Sequence, residues 1–168
     1  IKSTAFEVFL FCLILVILYK SLFLGGKVYS ENRDWKPDRE AMVKVLIDYG
    51  IRDHDVLAAM RKVQRHKFIP SQYIALCDPY GDHPCSIGYG QTISQPYIVA
   101  YMTERLAPQA GEKILEIGTG SGYQAAVLAD LGARVYSIEI IPELADHARA
   151  VLASEGYDVK VLTGDGYK

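Results

Sequence analysis

Hydrophobic and polar positions change rhythm several times along this chain. Residues 8–19 are apolar without a break, and the wider segment 6–24 is interrupted only by Glu7, Lys20 and Ser21. A polar linker follows over 29–37. Within 39–49, Met42, Val45, Leu46 and Tyr49 recur at helical spacing on one stripe, and Gly50 ends it. A second helix begins at Asp53 or Asp55, either of which can cap free backbone N–H groups, and it sends Val56, Leu57, Met60 and Val63 inward. The pattern breaks at His66, which reads as a surface residue beside Lys67 rather than a general base. Pro79, Gly81, Pro84, Gly88 and Gly90 mark 76–90 as a long structured loop, neither helix nor strand.

From Gly111 onward the period shifts to alternating short apolar runs and helical stretches. Residues 113–117 predict a buried strand, 121–131 a helix, 134–140 a strand, 142–154 a helix opening on Pro142, and 158–162 a third strand. Strand, helix, strand, helix, strand begins a doubly wound parallel sheet. The fold class is therefore α/β, the first part of a Rossmann-like sheet preceded by an N-terminal helical region. Open sheets of this kind usually have five or more strands, so further strands are expected beyond Lys168. The organisation is a hydrophobic segment (1–27), a linker (28–37), a helical and substrate-loop region (38–110) and an incomplete Rossmann-like domain (111–168).

Charge adds little. With 18 basic and 20 acidic residues the chain has no basic footprint, and no nucleic-acid partner is expected. The apolar segment 6–24 is marginal for a membrane span; a membrane anchor is its first reading, with a cleaved signal-peptide core next and an artefact or unrelated extension last. Lys20, Lys27, Arg33, Lys36 and Arg39 follow it while only Lys2 precedes it, which would leave the globular part cytoplasmic, membrane contact running through 6–24. The alternative is export. The three cysteines make no disulfide framework, Cys77 and Cys85 being too loosely placed to read as a pair, so a reducing compartment is compatible. His83 lies between them, but no second ligand pair stands at zinc spacing and no metal is expected.

The strongest chemical signal is Glu116-Ile117-Gly118-Thr119-Gly120-Ser121-Gly122 at a strand-to-helix junction. Gly118, Gly120 and Gly122 leave room for a ligand across the strand end, where a β-carbon would collide. A dinucleotide fingerprint would place Gly or Ala at position 123, which is Tyr123. Glu116 would repel a pyrophosphate but suits an ammonium group. Glu139, ending the second strand 17 residues past Gly122, can accept hydrogen bonds from both ribose hydroxyls. Asp165, in Gly164-Asp165-Gly166 beyond the third strand, could bond an adenine amino group with Gly166 allowing the approach, although alone it would read as a turn. Together these strand ends predict a nucleoside site.

The run from Glu116 to Tyr123 resembles the first motif of class I S-adenosylmethionine-dependent methyltransferases. Gly88-Tyr89-Gly90-Gln91-Thr92-Ile93-Ser94-Gln95-Pro96-Tyr97 is similar to the signature that protein-L-isoaspartate O-methyltransferases carry upstream of it, and Met60, Val63, Arg65, His66, Phe68 and Pro70 resemble that family's N-terminal region. The resemblance spans about 41–167. It implies S-adenosyl-L-methionine as cofactor and, as partners, proteins and peptides bearing L-isoaspartyl residues, whose free carboxylate would be methylated. It also implies Ser94 as the active residue, with Thr92 and Ile93 lining the cofactor and a helix beginning at Gln95. The competing reading of Ser94 is a helix N-cap before Pro96, secondary even without the family. The alternatives are a class I methyltransferase with a small-molecule acceptor, and a cofactor-binding module without turnover.

Overall fold

The computed structural model describes residues 33–167. The apolar segment 6–24 lies outside them, and no helix among the described residues is long and apolar enough to cross a membrane. Element order is α1 (Lys36–Asp48), α2 (His54–Lys62), a 3-10 turn (Arg65–Phe68), α3 (Ser71–Ile74), β1 (Cys85–Gly88), β2 (Gln91–Ile93), α4 (Pro96–Leu106), β3 (Lys113–Ile117), α5 (Tyr123–Asp130), β4 (Arg134–Glu139), α6 (Pro142–Ser154) and β5 (Lys160–Thr163). The larger sheet runs β3-β4-β5, all parallel, with Ile117 opposite Ile138 and Glu139 opposite Thr163. This is the expected α/β architecture.

Helix α2 starts where the sequence puts it, because the Asp53 carboxylate accepts the backbone N–H of Asp55 and Val56 at 2.9 and 3.0 Å. Val56, Leu57, Met60 and Val63 are all buried. In α1 the buried stripe is Met42, Val43 and Leu46 instead of the one expected, since the helix is over at Asp48 and Tyr49 only caps it, standing edge-on to Tyr97. Helices α5 and α6 cover one face of the sheet, against Ile114, Val135 and Val161. The alternate positions Leu115, Ile117 and Leu162 point the other way and are 62, 55 and 58% exposed, so this apolar face is bare among the described residues.

Three expectations are corrected in the segment before the sheet. His66 is buried: the 3-10 turn tucks its ring against Trp35 (centroids 5.0 Å apart) and Nδ1 lies 2.7 Å from the Tyr80 hydroxyl. Cys77 and Cys85 form a disulfide with Cα atoms 6.0 Å apart, because the turns between them fold the loop back on itself. They therefore offer no thiolate to a metal. The stretch 76–90 is not all loop, for β1 and β2 pair as an antiparallel hairpin. Its two-residue connection, Tyr89-Gly90, has φ of 53° and 70°, the left-handed pair that a tight hairpin needs. Strands this short carry no readable alternation.

Helix α5 begins at Tyr123, two residues later than expected, because Gly122 before it has φ of +86°. A Cβ on Gly122 would meet Leu152 Cδ1 at 3.1 Å and Ala148 Cβ at 3.4 Å, while one on Gly118 (φ +88°) meets nothing within 4 Å. Gly118→Ala should therefore cost only the left-handed backbone penalty, about 1 to 2 kcal/mol. Gly122→Ala adds overpacking against α6 and should lose about 1 kcal/mol or more beyond that. Urea unfolding of the two variants checks the order.

Burial, followed by the positive charges of Lys67 and Arg39, pushes His66 down to about 4 from its ordinary 6.5. A depressed folded value means the unfolded chain takes up the proton first. The stabilisation is present above pH 6.5 and is lost as pH falls toward 4. His66→Phe should show a shallower loss of urea midpoint over this range than the parent chain. Equal slopes would remove His66 as its source.

Candidate active site

The turn after β3 is fastened to the end of β4. Gly118 and Thr119 donate backbone N–H bonds to the Ile138 carbonyl at 2.8 and 3.3 Å, and Gly120 N–H reaches Glu139 Oε2 at 2.7 Å. The other Glu139 oxygen accepts from Ile141 N–H at 3.0 Å. Glu139 is buried, 5% exposed, yet each oxygen keeps a lone pair for a further donor.

Glu116, one strand over, has a different environment. Ser137 Oγ donates to its Oε2 at 2.5 Å, and Ser137 Oγ also lies 2.6 Å from Thr119 Oγ1. Thr119 and Ser137 of this chain are buried and Glu116 is half-buried, so a polar network runs under the turn. Burial is the main force pushing the Glu116 carboxyl up to about 7; the Ser137 bond opposes it and the nearby charge of Glu139 adds to it. A carboxyl balanced at neutral pH is ready to ionise when a cation arrives.

The second wall is the segment after the hairpin. Ile93 is buried and pins it, while Thr92 and Ser94 are exposed. Helix α4 opens with Gln95 in the cap position and Pro96 in the first turn, so Ser94 is not the helix cap. Its hydroxyl has no hydrogen-bond partner among the described residues. The helix is tied to α5 through Thr103, whose Oγ1 accepts from Gln124 Nε2 at 2.9 Å.

The two walls meet around one cavity of about 70 Å³, lined among others by Thr92, Ile93, Ser94, Glu116, Gly118 and Gly120. It adjoins Glu139, which grips the Gly120 N–H. Gly122 instead faces Leu152 and Ala148, where it serves the packing of α6. Asp165 lies in the loop after β5, outside this lining, and bonds the N–H of Tyr167 at 3.0 Å. Gly166 is packed so close to Ile117 that a Cβ would lie 2.6 Å from its Cγ2. Sequence reasoning missed Ser137, Ser121 and Gln124. Only Ser137 left a signal, a serine alternating onto the buried face of a strand.

Comparison with known proteins converges on one family. Residues 37–168 match the family described as Protein-L-isoaspartate(D-aspartate) O-methyltransferase (PCMT). The chain is 57% identical over 120 residues to a protein-L-isoaspartate O-methyltransferase of Gloeobacter violaceus, covering 71% of this chain and 58% of the relative. It is 53% identical over 131 residues to the Methanoculleus marisnigri protein of the same name, covering 77% and 59%. The chain thus spans a little under three fifths of these relatives. Among solved structures, a protein-L-isoaspartate O-methyltransferase superposes with TM-score 0.68 at 29% identity over 77% of this chain and 43% of that one. A Plasmodium falciparum protein assigned to the same enzyme class, in complex with S-adenosyl-L-homocysteine, gives TM-score 0.67 at 25% identity over 77% and 64%. With the family match covering most of its length, and with Ser94 and the glycine turn facing one cavity, the chain belongs to the protein-L-isoaspartate(D-aspartate) O-methyltransferase family.

Proposed function

We propose that this chain carries the cofactor turn and acceptor loop of an enzyme that methylates the free carboxylate of L-isoaspartyl residues in damaged proteins and peptides, using S-adenosyl-L-methionine. The observation that carries the reading is the shared cavity, which brings Ser94 to the same space as Glu116 and the glycine turn. The residues match groups of the cofactor, and the cavity of about 70 Å³ takes only part of it. Gly118 leaves open space where a side chain would stand, Glu116 offers a carboxyl to an ammonium group, and Glu139 has spare lone pairs for hydroxyls. Asp165, with Gly166 beside it, is the proposed adenine contact, and Thr92 and Ile93 are the proposed lid over the cofactor.

When bound, S-adenosyl-L-methionine supplies a sulfonium methyl that an oxygen nucleophile can take. The acceptor carboxylate is ionised at neutral pH, so the protein needs no strong base. Its task is to orient one carboxylate oxygen and exclude water. The Ser94 hydroxyl, exposed and unengaged among the described residues, is suited to donate a hydrogen bond to the acceptor carboxylate, fixing which oxygen faces the methyl group. The Cys77–Cys85 disulfide bears on location, because such bonds persist in oxidising compartments, and it favours the exported alternative over the cytoplasmic one.

The test is methyl-ester formation by the full-length protein on an isoaspartyl peptide and its normal aspartyl twin. We expect base-labile ester on the first only. Ester on neither peptide, with the cofactor still bound, would mean a small-molecule acceptor or no turnover. Ser94→Ala should lower turnover by about 10-fold to 1000-fold, the scale of one lost positioning donor, while cofactor affinity stays nearly unchanged. Glu139→Ala should instead weaken cofactor binding by about 1 to 3 kcal/mol in calorimetry. Normal methylation by Ser94→Ala would remove its hydroxyl from the mechanism.

A further inference from the structure

We infer that Asp82 is a positioning residue for the acceptor site: delivered by the loop between the two disulfide cysteines, its carboxylate caps helix α4 from across the chain and holds the Ser94 segment in place. The inference rests on the methyl-transfer reading above. Helix α4 needs such help because its own cap residue, Gln95, makes no side-chain cap bond. Pro96 has no N–H to satisfy, and the Ile98 and Val99 N–H groups turn back to the Gln95 carbonyl at 3.1 and 3.3 Å. Tyr97 is left as the orphan donor of the first turn. Asp82 Oδ1 accepts that N–H at 2.8 Å, and Asp82 Oδ2 lies 3.4 Å from Gln95 Nε2. One carboxylate therefore grips the chain at the first and third residues after Ser94, with favourable charge at a helix N-terminus.

The loop that carries Asp82 is held on both sides. Arg65, fully buried, donates from Nε to the Pro79 carbonyl at 2.8 Å and from Nη2 to the His83 carbonyl at 3.4 Å. Its guanidinium lies 5.1 Å over the ring of Tyr123, the first residue of α5 after the glycine turn. The Cys77–Cys85 disulfide closes the same loop. A buried cation and a covalent link thus fix the backbone around Asp82, and Asp82 fixes the start of α4. An acidic side chain held this firmly sets where the Ser94 hydroxyl stands relative to the glycine turn. No readable sequence signal points to it, since Asp82 precedes α4 by more than a turn of intervening hairpin.

The experiment is steady-state methylation of an isoaspartyl peptide by the full-length protein, comparing the parent with Asp82→Ala, Asp82→Asn and Asp53→Ala. Asp53 also caps a helix, α2, whose start meets α4 at Glu104, near the opposite end of α4 from Ser94, so its loss serves as the control for destabilisation. We expect Asp82→Ala to lower kcat/KM by about 10-fold to 100-fold, the cost of a misplaced reacting group. Binding of S-adenosylhomocysteine should change by less than about 3-fold, and Tyr97 N–H should exchange faster with solvent. Asp82→Asn keeps an acceptor for Tyr97 and should fall between the two. Asp53→Ala should lower the melting temperature with kcat/KM near the parent value. If Asp82→Ala does not fold, Asp82→Glu, which moves the carboxylate by one methylene, takes its place with the same expectation. A kcat/KM within about 2-fold of the parent for Asp82→Ala, or for its substitute, would overturn the inference alone. A parent protein that binds the nucleoside but makes no ester would overturn the methyl-transfer reading and this inference with it.

Discussion

Two carboxylates are brought together at the ends of neighbouring parallel strands, and the turn between β3 and α5 is fastened to one of them, Glu139, through the Gly120 N–H. Glu139 is held by backbone, its two oxygens accepting the N–H groups of Gly120 and Ile141. Among the described residues Glu116 has only the Ser137 hydroxyl, and burial, with a smaller push from Glu139, raises its carboxyl to about 7. The asymmetry has a thermodynamic sign. A carboxyl whose folded value is raised stabilises the fold fully below its ordinary value near 4.5, and that contribution is lost as pH rises through 7. The site therefore opposes its own fold at neutral pH, as binding sites often do, until a cation relieves the unpaired charge.

The rest of the described chain holds a second wall against that turn. Arg65 stays charged although burial lowers it to about 10, and it spans from the N-terminal helices to the loop 79–83 and the face of Tyr123. A buried charge of this kind is costly; Nε and Nη2 are engaged by the Pro79 and His83 carbonyls, while Nη1 has no hydrogen-bond partner among the described residues. His66 and Trp35 pack beside it, and the disulfide closes the loop from the other end. The hairpin then delivers Ile93 and Ser94 to the cavity by means of its left-handed Tyr89-Gly90 connection. Rigid support behind an exposed hydroxyl is what the proposed positioning role of Ser94 requires.

Much of this was legible in the sequence. The bounds of β3 and α6 came out as expected, because apolar runs and a proline at the helix start are local signals. Gly118, Gly120, Glu116 and Ser94 could be placed in one site from the turn motif and the upstream signature. What could not be read depends on partners distant in the chain. His66 looks polar and exposed until Trp35 folds over it, and Cys77 with Cys85 is a pair only once the intervening turns are in place. Asp82 acts on a helix that begins beyond a hairpin. Gly122 carried the same letter as its neighbours in the turn but faces Leu152, a role that only the docking of α6 assigns.

In the proposed site, Glu116 is the carboxyl that would meet the cationic end of the cofactor, and burial raises it to about 7 beforehand. Carbon-13 NMR of the Glu116 side-chain carboxyl, assigned with Glu116→Gln, reports its titration directly in the presence and absence of S-adenosylhomocysteine, whose ammonium group is the probe. We expect a midpoint near 7 in the free protein and a fall worth about 1.4 kcal/mol or more when the nucleoside is bound. A midpoint that stays where it is on saturation with S-adenosylhomocysteine would contradict that role for Glu116.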